Sequence, residues 1–225
     1  MPQSIRSAEQ ARKWRWITLA IMLAIILADQ VLKVWIKTHM FIGEDISLIG
    51  EWARLRFVEN NGIAFGMQLA GRAGKLLLSC LRIAMVIFLA VLAHRMLKSR
   101  RFSLGLLIPL TCIIAGALGN IIDGTLYGLV FSSSQPYIDA TGHLVRPVAT
   151  FLPSEGGYAG MFFGRVVDMF YFPLFSFQWP TWLPMLGGKN FLFFNAIFNI
   201  ADAAITCAVF YLLLFQRRAI LAMAK

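Results

Sequence analysis

Charge is scarce in this chain. Of its 225 residues only 14% are charged, 59% are hydrophobic, and the mean hydropathy is +0.70. A soluble globular domain carries about 25% charged residues, so the composition excludes one and implies an integral membrane protein covered mostly by lipid. Acids are the scarcest charge, 11 against 21 basic residues. Cysteine is scarce too. Cys80, Cys112 and Cys207 lie in apolar runs without metal-ligand spacing, which argues against a zinc site or a disulfide framework. The three histidines, His39, His94 and His143, accompany no nucleophile motif, so a Ser–His hydrolase is disfavoured. There is no glycine-rich phosphate loop, no internal repeat and no low-complexity tract. The net charge of +10 suggests nucleic acid only until the basic residues are placed. They flank apolar runs, so membrane topology accounts for them and no nucleic-acid partner is expected.

The apolar runs fall at about 16–36, 76–97, 104–122 and 191–215. A spanning helix needs about 20 residues, so the expectation is an all-α integral membrane protein, one membrane domain over 1–225 with a four-helix transmembrane bundle. Arg6, Arg12, Lys13 and Arg15 precede the first run. Arg95, Lys98, Arg100 and Arg101 separate the second from the third, and Arg217, Arg218 and Lys225 follow the fourth. With four spans these clusters share one side, which the positive-inside rule makes cytoplasmic. Both termini are then cytoplasmic, and segments 37–75 and 124–190 face the other side. The basic start also fits a cleaved signal peptide, but Asp29, Lys33 and the missing small-x-small site favour an uncleaved helix. Leu55, Phe57 and Val58 suggest a short strand before an Asn60-Asn61-Gly62 turn. The Ser/Pro/Gly-rich stretch 131–160 reads as a long external loop.

In so apolar a chain each acid needs a reason. Asp29 and Lys33 are four apart on one helical face. They suit either a structural ion pair or the fastening of helix 1 to a polar site. In E-N-N-G-I-A-F-G-M (59–67) Asn60 either belongs to an ordinary turn or binds a substrate backbone. In G-A-L-G-N-I-I-D-G (116–124) the small residues permit close helix packing, while Asn120 and Asp123 share a face. Asp168, in G-R-V-V-D, and Asp202, in F-N-I-A-D-A-A-I, are the strongest pair. Two carboxylates near each other can share one proton and divide acid and base roles. Asn199 lies three residues before Asp202, and Arg165 and Lys189 are the nearest basic partners in sequence. The alternatives are a lipid phosphotransferase holding Mg²⁺ with Asp123, Asp168 and Asp202, and a proton-relay transporter, for which four helices without repeats are a poor frame.

Five motifs in order, D-Q-V-L-K, N-N-G-I-A-F, G-A-L-G-N-I-I-D, G-R-V-V-D and F-N-I-A-D-A-A-I, make the chain resemble the bacterial lipoprotein signal peptidases (signal peptidase II) from about Ala28 to Ile205. The resemblance implies an inner-membrane aspartic endopeptidase with four transmembrane helices and a small periplasmic β-cradle, its active site near the periplasmic face. Such enzymes cleave diacylglyceryl-modified prolipoproteins just before the lipidated cysteine, without metal or cofactor. The family's catalytic aspartates fall on Asp168 and Asp202, and its supporting residues on Asn60, Gly62, Asn120, Asp123, Asn199, Asp29 and Lys33. Membrane lipid is a second partner, the cyclic peptide globomycin the expected inhibitor, and a monomer the expected state. The chain departs from the pattern twice. Gly124 stands where many members have arginine, with Arg165 or Arg146 as substitutes, and residues 125–160 form an insertion.

Overall fold

In the computed structural model, which describes residues 5–61, 71–100, 102–217 and 221, three helices are long and apolar enough to cross a membrane. Helix α1 (Ala8–His39) opens with a capping box in which Ser7 and Gln10 each accept from the other's amide, satisfying donors that the first turn leaves free. Helix α2 runs Gly71–Ser99. Helix α3 (Leu104–Ile122) is capped by Ser103, passes through a π-helical turn at Asp123–Tyr127 and ends as α4 (Gly128–Val130). At 1.5 Å per residue these rods measure ~48, ~44 and ~40 Å, against ~30 Å of hydrocarbon. The last helix, α5 (Ile200–Phe215), is apolar but has 16 residues.

The run expected to be helical from 191 becomes helical only at Ile200. Asn190–Phe193 and Ile197–Phe198 are strands. Asn199 then caps α5, its side-chain oxygen accepting from the Asp202 amide at 2.9 Å. A short Phe-rich run has the same hydropathy as strand or helix, and here pairing with 175–178 and 170–171 decides.

The chain is therefore not all-α. Strands β1 (Asp45–Ile49), β2 (Ala53–Asn60), β5 (Val166–Tyr171) and β8 (Ile197–Phe198) form an antiparallel sheet in the order β1-β2-β5-β8. Two small ribbons stand apart, β3 (Tyr137–Ile138) with β4 (Leu144–Val145), and β6 (Phe175–Gln178) with β7 (Asn190–Phe193).

Helix α3 is the inner rod, packed on α1, α2 and α5. Leu23, Leu27 and Val31 of α1, and Leu77, Leu81 and Phe88 of α2, point outward, as helices in lipid allow. The small residues of 116–119 do what their size suggests. A Cβ on Gly116 would lie 2.4 Å from the Ala201 carbonyl oxygen, and one on Gly119 2.7 Å from Asp29 Oδ2. The bundle has one apolar core around Leu106, Leu107 and Leu110 and a second under the sheet, around Ile36, Phe57, Phe131 and Val167. At the opposite end from the sheet, the Arg6 amide donates to the Arg100 carbonyl at 2.9 Å, and Gln216 approaches Gly105. Among the described residues, the basic side of α1's start, the α2–α3 connection and the end of α5 thus gather at one end.

The 131–160 stretch, expected as an external loop, folds back on the end of α3–α4. Helix C-termini leave carbonyls unsatisfied. Here Gly124, Gly128 and Val130 carbonyls accept from the amides of Gly164, Ala159 and Leu152 at 2.9, 2.9 and 2.7 Å. Phe131 and Tyr127 from this region are buried in the second core. The approach is close enough to demand glycine: a Cβ on Gly164 would sit 2.1 Å from the Asp123 carbonyl oxygen, while one on Gly124 meets nothing within 4 Å. Gly164→Ala is therefore expected to lower thermal stability in detergent by about 1–3 kcal/mol, and Gly124→Ala to leave it unchanged. Equal melting of the two variants would contradict this account.

Candidate active site

One ammonium group organises the polar interior. Lys33 Nζ, fully buried, lies 2.8 Å from Asp29 Oδ2 and 2.7 Å from Asp123 Oδ2, both carboxylates also buried. Gln30 Nε2 donates to the same pair, to Asp29 Oδ2 at 3.1 Å and Asp123 Oδ1 at 2.9 Å. The remaining capacity is spent on backbone: Asp29 Oδ1 accepts from the Ala201 amide at 3.0 Å, and Asp123 Oδ2 from the Val167 amide at 3.3 Å. Two acids on α1 and after α3 thereby hold the start of α5 and strand β5. Burying charge is tolerable when every group is paired and hydrogen-bonded, and among the described residues no buried side-chain polar atom lacks a partner.

Lys33 also orients the next shell. It donates to Asn120 Oδ1 at 2.9 Å. An ammonium only donates, so the Asn120 amide must turn its NH₂ the other way, and Nδ2 donates to Asp202 Oδ1 at 2.7 Å. Asn199 is oriented by the same logic. Its oxygen faces the Asp202 amide, so its Nδ2 points back, donating to Asp168 Oδ1 at 2.7 Å, Asn120 Oδ1 at 3.2 Å and the Val167 carbonyl at 3.2 Å. Asp168 Oδ2 receives a long contact from Asn60 Nδ2 at 3.4 Å, delivered by the β2–β5 register that sets Asn60 opposite Val166 and Val58 opposite Asp168.

The four acids thus divide into two kinds. Asp29 and Asp123 lie against a cation. Asp168 and Asp202 are held by amides. Asp168 is 3% exposed; burial, and then the neighbouring Asp202 charge, push its pKa up to about 7. Asp202 is half-buried, with Arg82 of α2 within electrostatic range. The structure brings together eight of the residues singled out from the sequence: Asp29, Lys33, Asn60, Asn120, Asp123, Asp168, Asn199 and Asp202. Gly62 lies outside the described residues. The proposed Mg²⁺ triad is not assembled, since Asp123 is taken up by Lys33, Gln30 and the Val167 amide. Among the described residues no three His, Cys, Asp or Glu side chains are disposed to hold a metal.

The sequence reading missed a second buried ion cluster one helical turn beyond Lys33. Lys37 contacts Glu59, donates to Ser134 Oγ at 3.0 Å and lies over the rings of Tyr158 and Phe131. Arg165 Nη1 and Gln135 Nε2 each reach Glu59 Oε2 at 3.0 Å. Burial opposes the Glu59 charge, but Lys37, Arg165 and Gln135 outweigh it and hold its pKa below the ordinary carboxylate range. Glu59 precedes Asn60, so this cluster anchors the strand end that reaches Asp168. The spacing was there to see: 29, 33 and 37 form one i, i+4 row. Arg165, raised as a substitute for the family arginine, is committed to Glu59 and Tyr158, and Arg146 lies over Phe41. Lys189 makes no ion pair with Asp168 or Asp202 among the described residues. It sits where the β6–β7 ribbon meets its connecting loop, its carbonyl accepting from the Trp179 amide at 3.0 Å. Gln30, which bridges Asp29 and Asp123, lies within the D-Q-V-L-K motif but was not singled out from it.

The family model described as signal peptidase (SPase) II matches residues 21–217. A lipoprotein signal peptidase of Porphyromonas gingivalis (strain W83) is 40% identical over 204 residues, 91% of this chain and 84% of that one. Another, of Amoebophilus asiaticus, is 31% identical over 209 residues, 92% and 79% of the two chains. Two solved structures of a bacterial membrane enzyme share the fold. One, at 2.3 Å resolution, has a TM-score of 0.54 and 19% identity over 97% of this chain and 93% of that one. The other, at 1.9 Å, has a TM-score of 0.53 and 23% identity over 88% and 90%.

Two stability predictions follow from the division of acids. Lys33→Met strands two buried carboxylates and is expected to cost on the order of 3–5 kcal/mol, read as loss of folded protein in detergent, with the exposed Lys98→Met as an unaffected control. An acid whose pKa rises on folding binds its proton more tightly when folded, so stability falls as pH climbs from 3.8 toward about 7. Asp168→Asn removes that slope. It should melt higher than wild type at pH 8, by up to about 4 kcal/mol, and show no advantage at pH 4. An unchanged pH slope would remove Asp168 from the account.

Proposed function

The chain belongs to the signal peptidase II family, whose members cleave signal peptides from lipoprotein precursors, and from that premise we propose that Asp168 and Asp202 are its catalytic pair. The observation that carries this reading is the contrast between acids: two are neutralised by Lys33, while Asp168 is buried near Asp202 and, among the described residues, its side chain is hydrogen-bonded by the amides of Asn199 and Asn60.

In the proposed mechanism Asp168 holds the shared proton and Asp202 is the base. Asp168 Oδ2, which among the described residues receives the long Asn60 contact alone, carries the proton and hydrogen-bonds the scissile carbonyl. Asp202, oriented by Asn120, takes a proton from water as the water oxygen bonds to the carbonyl carbon. The C–N bond then breaks, and the Asp168 proton passes to the leaving nitrogen. The products are the signal-peptide carboxylic acid, whose remaining water-derived proton passes to the new amine to leave a carboxylate and an ammonium terminus, with the first water proton now on Asp202. Transfer between the two carboxylates restores the starting pair, which titrates as a unit. Asn60 offers a neutral donor to the peptide backbone and the developing oxyanion, while Asn199, its NH₂ engaged within the protein, positions Asp168.

The substrate is a prolipoprotein modified with diacylglycerol, cut before the lipidated cysteine, its acyl chains lying in lipid between the helices. No metal or cofactor takes part. α1, α2, α3 and α5 form a four-span bundle in the bacterial inner membrane, and the four-stranded sheet is the periplasmic cradle. The gathering of basic residues at the end away from the sheet supports cytoplasmic termini and a site near the periplasmic face. The active unit is a monomer, and globomycin competes for the site.

Purified protein in detergent, given a diacylglyceryl-modified prolipoprotein, is expected to cut it in the presence of EDTA. Asp168→Asn and Asp202→Asn should each lose activity almost completely while remaining folded. Normal cutting by either folded variant would sink the dyad, and failure of folded wild type would sink the substrate. Because Asp168 must be protonated, the turnover rate should decline as pH rises past about 7.

A further inference from the structure

Residues 172–198 contain nine aromatic residues and one charge, Lys189. Strand pairing sorts them. Phe175 lies opposite Phe193 and Phe177 opposite Phe191, whereas Ser176 lies opposite Leu192 and Gln178 opposite Asn190. Side chains alternate across a strand, so the β6–β7 ribbon has one wholly aromatic face and one largely polar face. The rings of the aromatic face pack on one another, Phe175–Phe193 stacked at 4.8 Å, Phe177–Phe191 tilted at 5.0 Å and Phe177–Trp179 edge-on at 4.9 Å. The face nevertheless stays exposed, Phe175 at 52%. The tip is ordered by amides of Leu183, Gly187 and Gly188 bonding Pro180, Leu183 and Trp179 carbonyls. It displays Trp182 at 78% and Met185 at 90% exposure. A lone two-stranded ribbon is marginal in water, and an exposed aromatic patch marks a contact surface.

The patch is joined through a short segment of chain to the lipid-facing helix α5. Six residues (194–199) separate Phe193 from the start of α5, which exposes Phe210, Leu213 and Leu214. At the ribbon's root Phe194 packs on Phe198, which meets Phe172 and Phe170, and Phe172 stacks on Trp52. Trp52 and Trp35 are themselves exposed at this end of the bundle. Tryptophans gathered at one level of a membrane protein occupy the headgroup boundary. We propose that the β6–β7 ribbon lies on the bilayer beside the site, its aromatic face in the lipid interface and its polar face toward water. This stands apart from the peptidase assignment and needs no substrate.

The test is a nitroxide scan of the full chain in phosphatidylethanolamine–phosphatidylglycerol vesicles, in a Cys80→Ser, Cys112→Ala, Cys207→Ser background. Labels go at Met185→Cys on the tip, Gln178→Cys on the polar face and Thr141→Cys on the β3–β4 turn. The ratio of oxygen to nickel-chelate accessibility should be several-fold higher at 185 than at 178 or 141. Equal ratios at the three positions would overturn the proposal. So would spin–spin broadening between copies at 185, which assigns the face to a second chain, or shielding that appears only on adding a lipidated peptide, which assigns it to substrate.

Discussion

The Lys33 ammonium is the contact on which the polar interior depends. It is the cation against two buried carboxylates and the donor that orients Asn120. Through Asp29 it reaches the backbone of α5, and through Asp123 the backbone of β5. These are the two elements that carry Asp202 and Asp168. Electrostatic attraction in a medium with little water is strong, but unpaired charge there is equally costly, so the arrangement is all or nothing. Its consequence is a division in which Asp29 and Asp123 lie against a cation and tie the frame together, while Asp168 and Asp202 are held by asparagine amides.

Around this centre the insertion is structural material. It closes the carbonyl end of α3–α4 with backbone amides and contributes Ser134, Gln135 and Tyr158 to the Lys37–Glu59–Arg165 cluster. That cluster fixes the end of β2 at Glu59, and with it the position of Asn60. Gly124, where many relatives carry arginine, faces open space. The nearby guanidinium of Arg165 is spent on holding Glu59.

The polar motifs were legible because cost makes them conspicuous: few acids in an apolar chain, each with an amide or base at helical spacing. Asp29 and Lys33 pair as i, i+4 geometry requires, and Gly116 and Gly119 admit α5. Span three, expected at 104–122, matches α3 because its apolar run ends where the polar turn begins. Residues 191–199 were illegible as strand because Phe-Leu-Phe-Phe is equally apolar in either conformation. The Glu59 cluster was illegible because its members come from positions 37, 59, 134, 135 and 165, which no local pattern relates.

Hydropathy and spacing, which are properties of one dimension, determined that this chain enters a membrane, which residues are too costly to be incidental, and which family pattern it resembles. That Asp123 also faces the Lys33 ammonium depends on a contact between residues 90 positions apart (123 − 33), and only the tertiary structure decided it. The same holds for the docking of the insertion and for the two faces of the aromatic ribbon. Register and burial select one partner from many that the sequence permits.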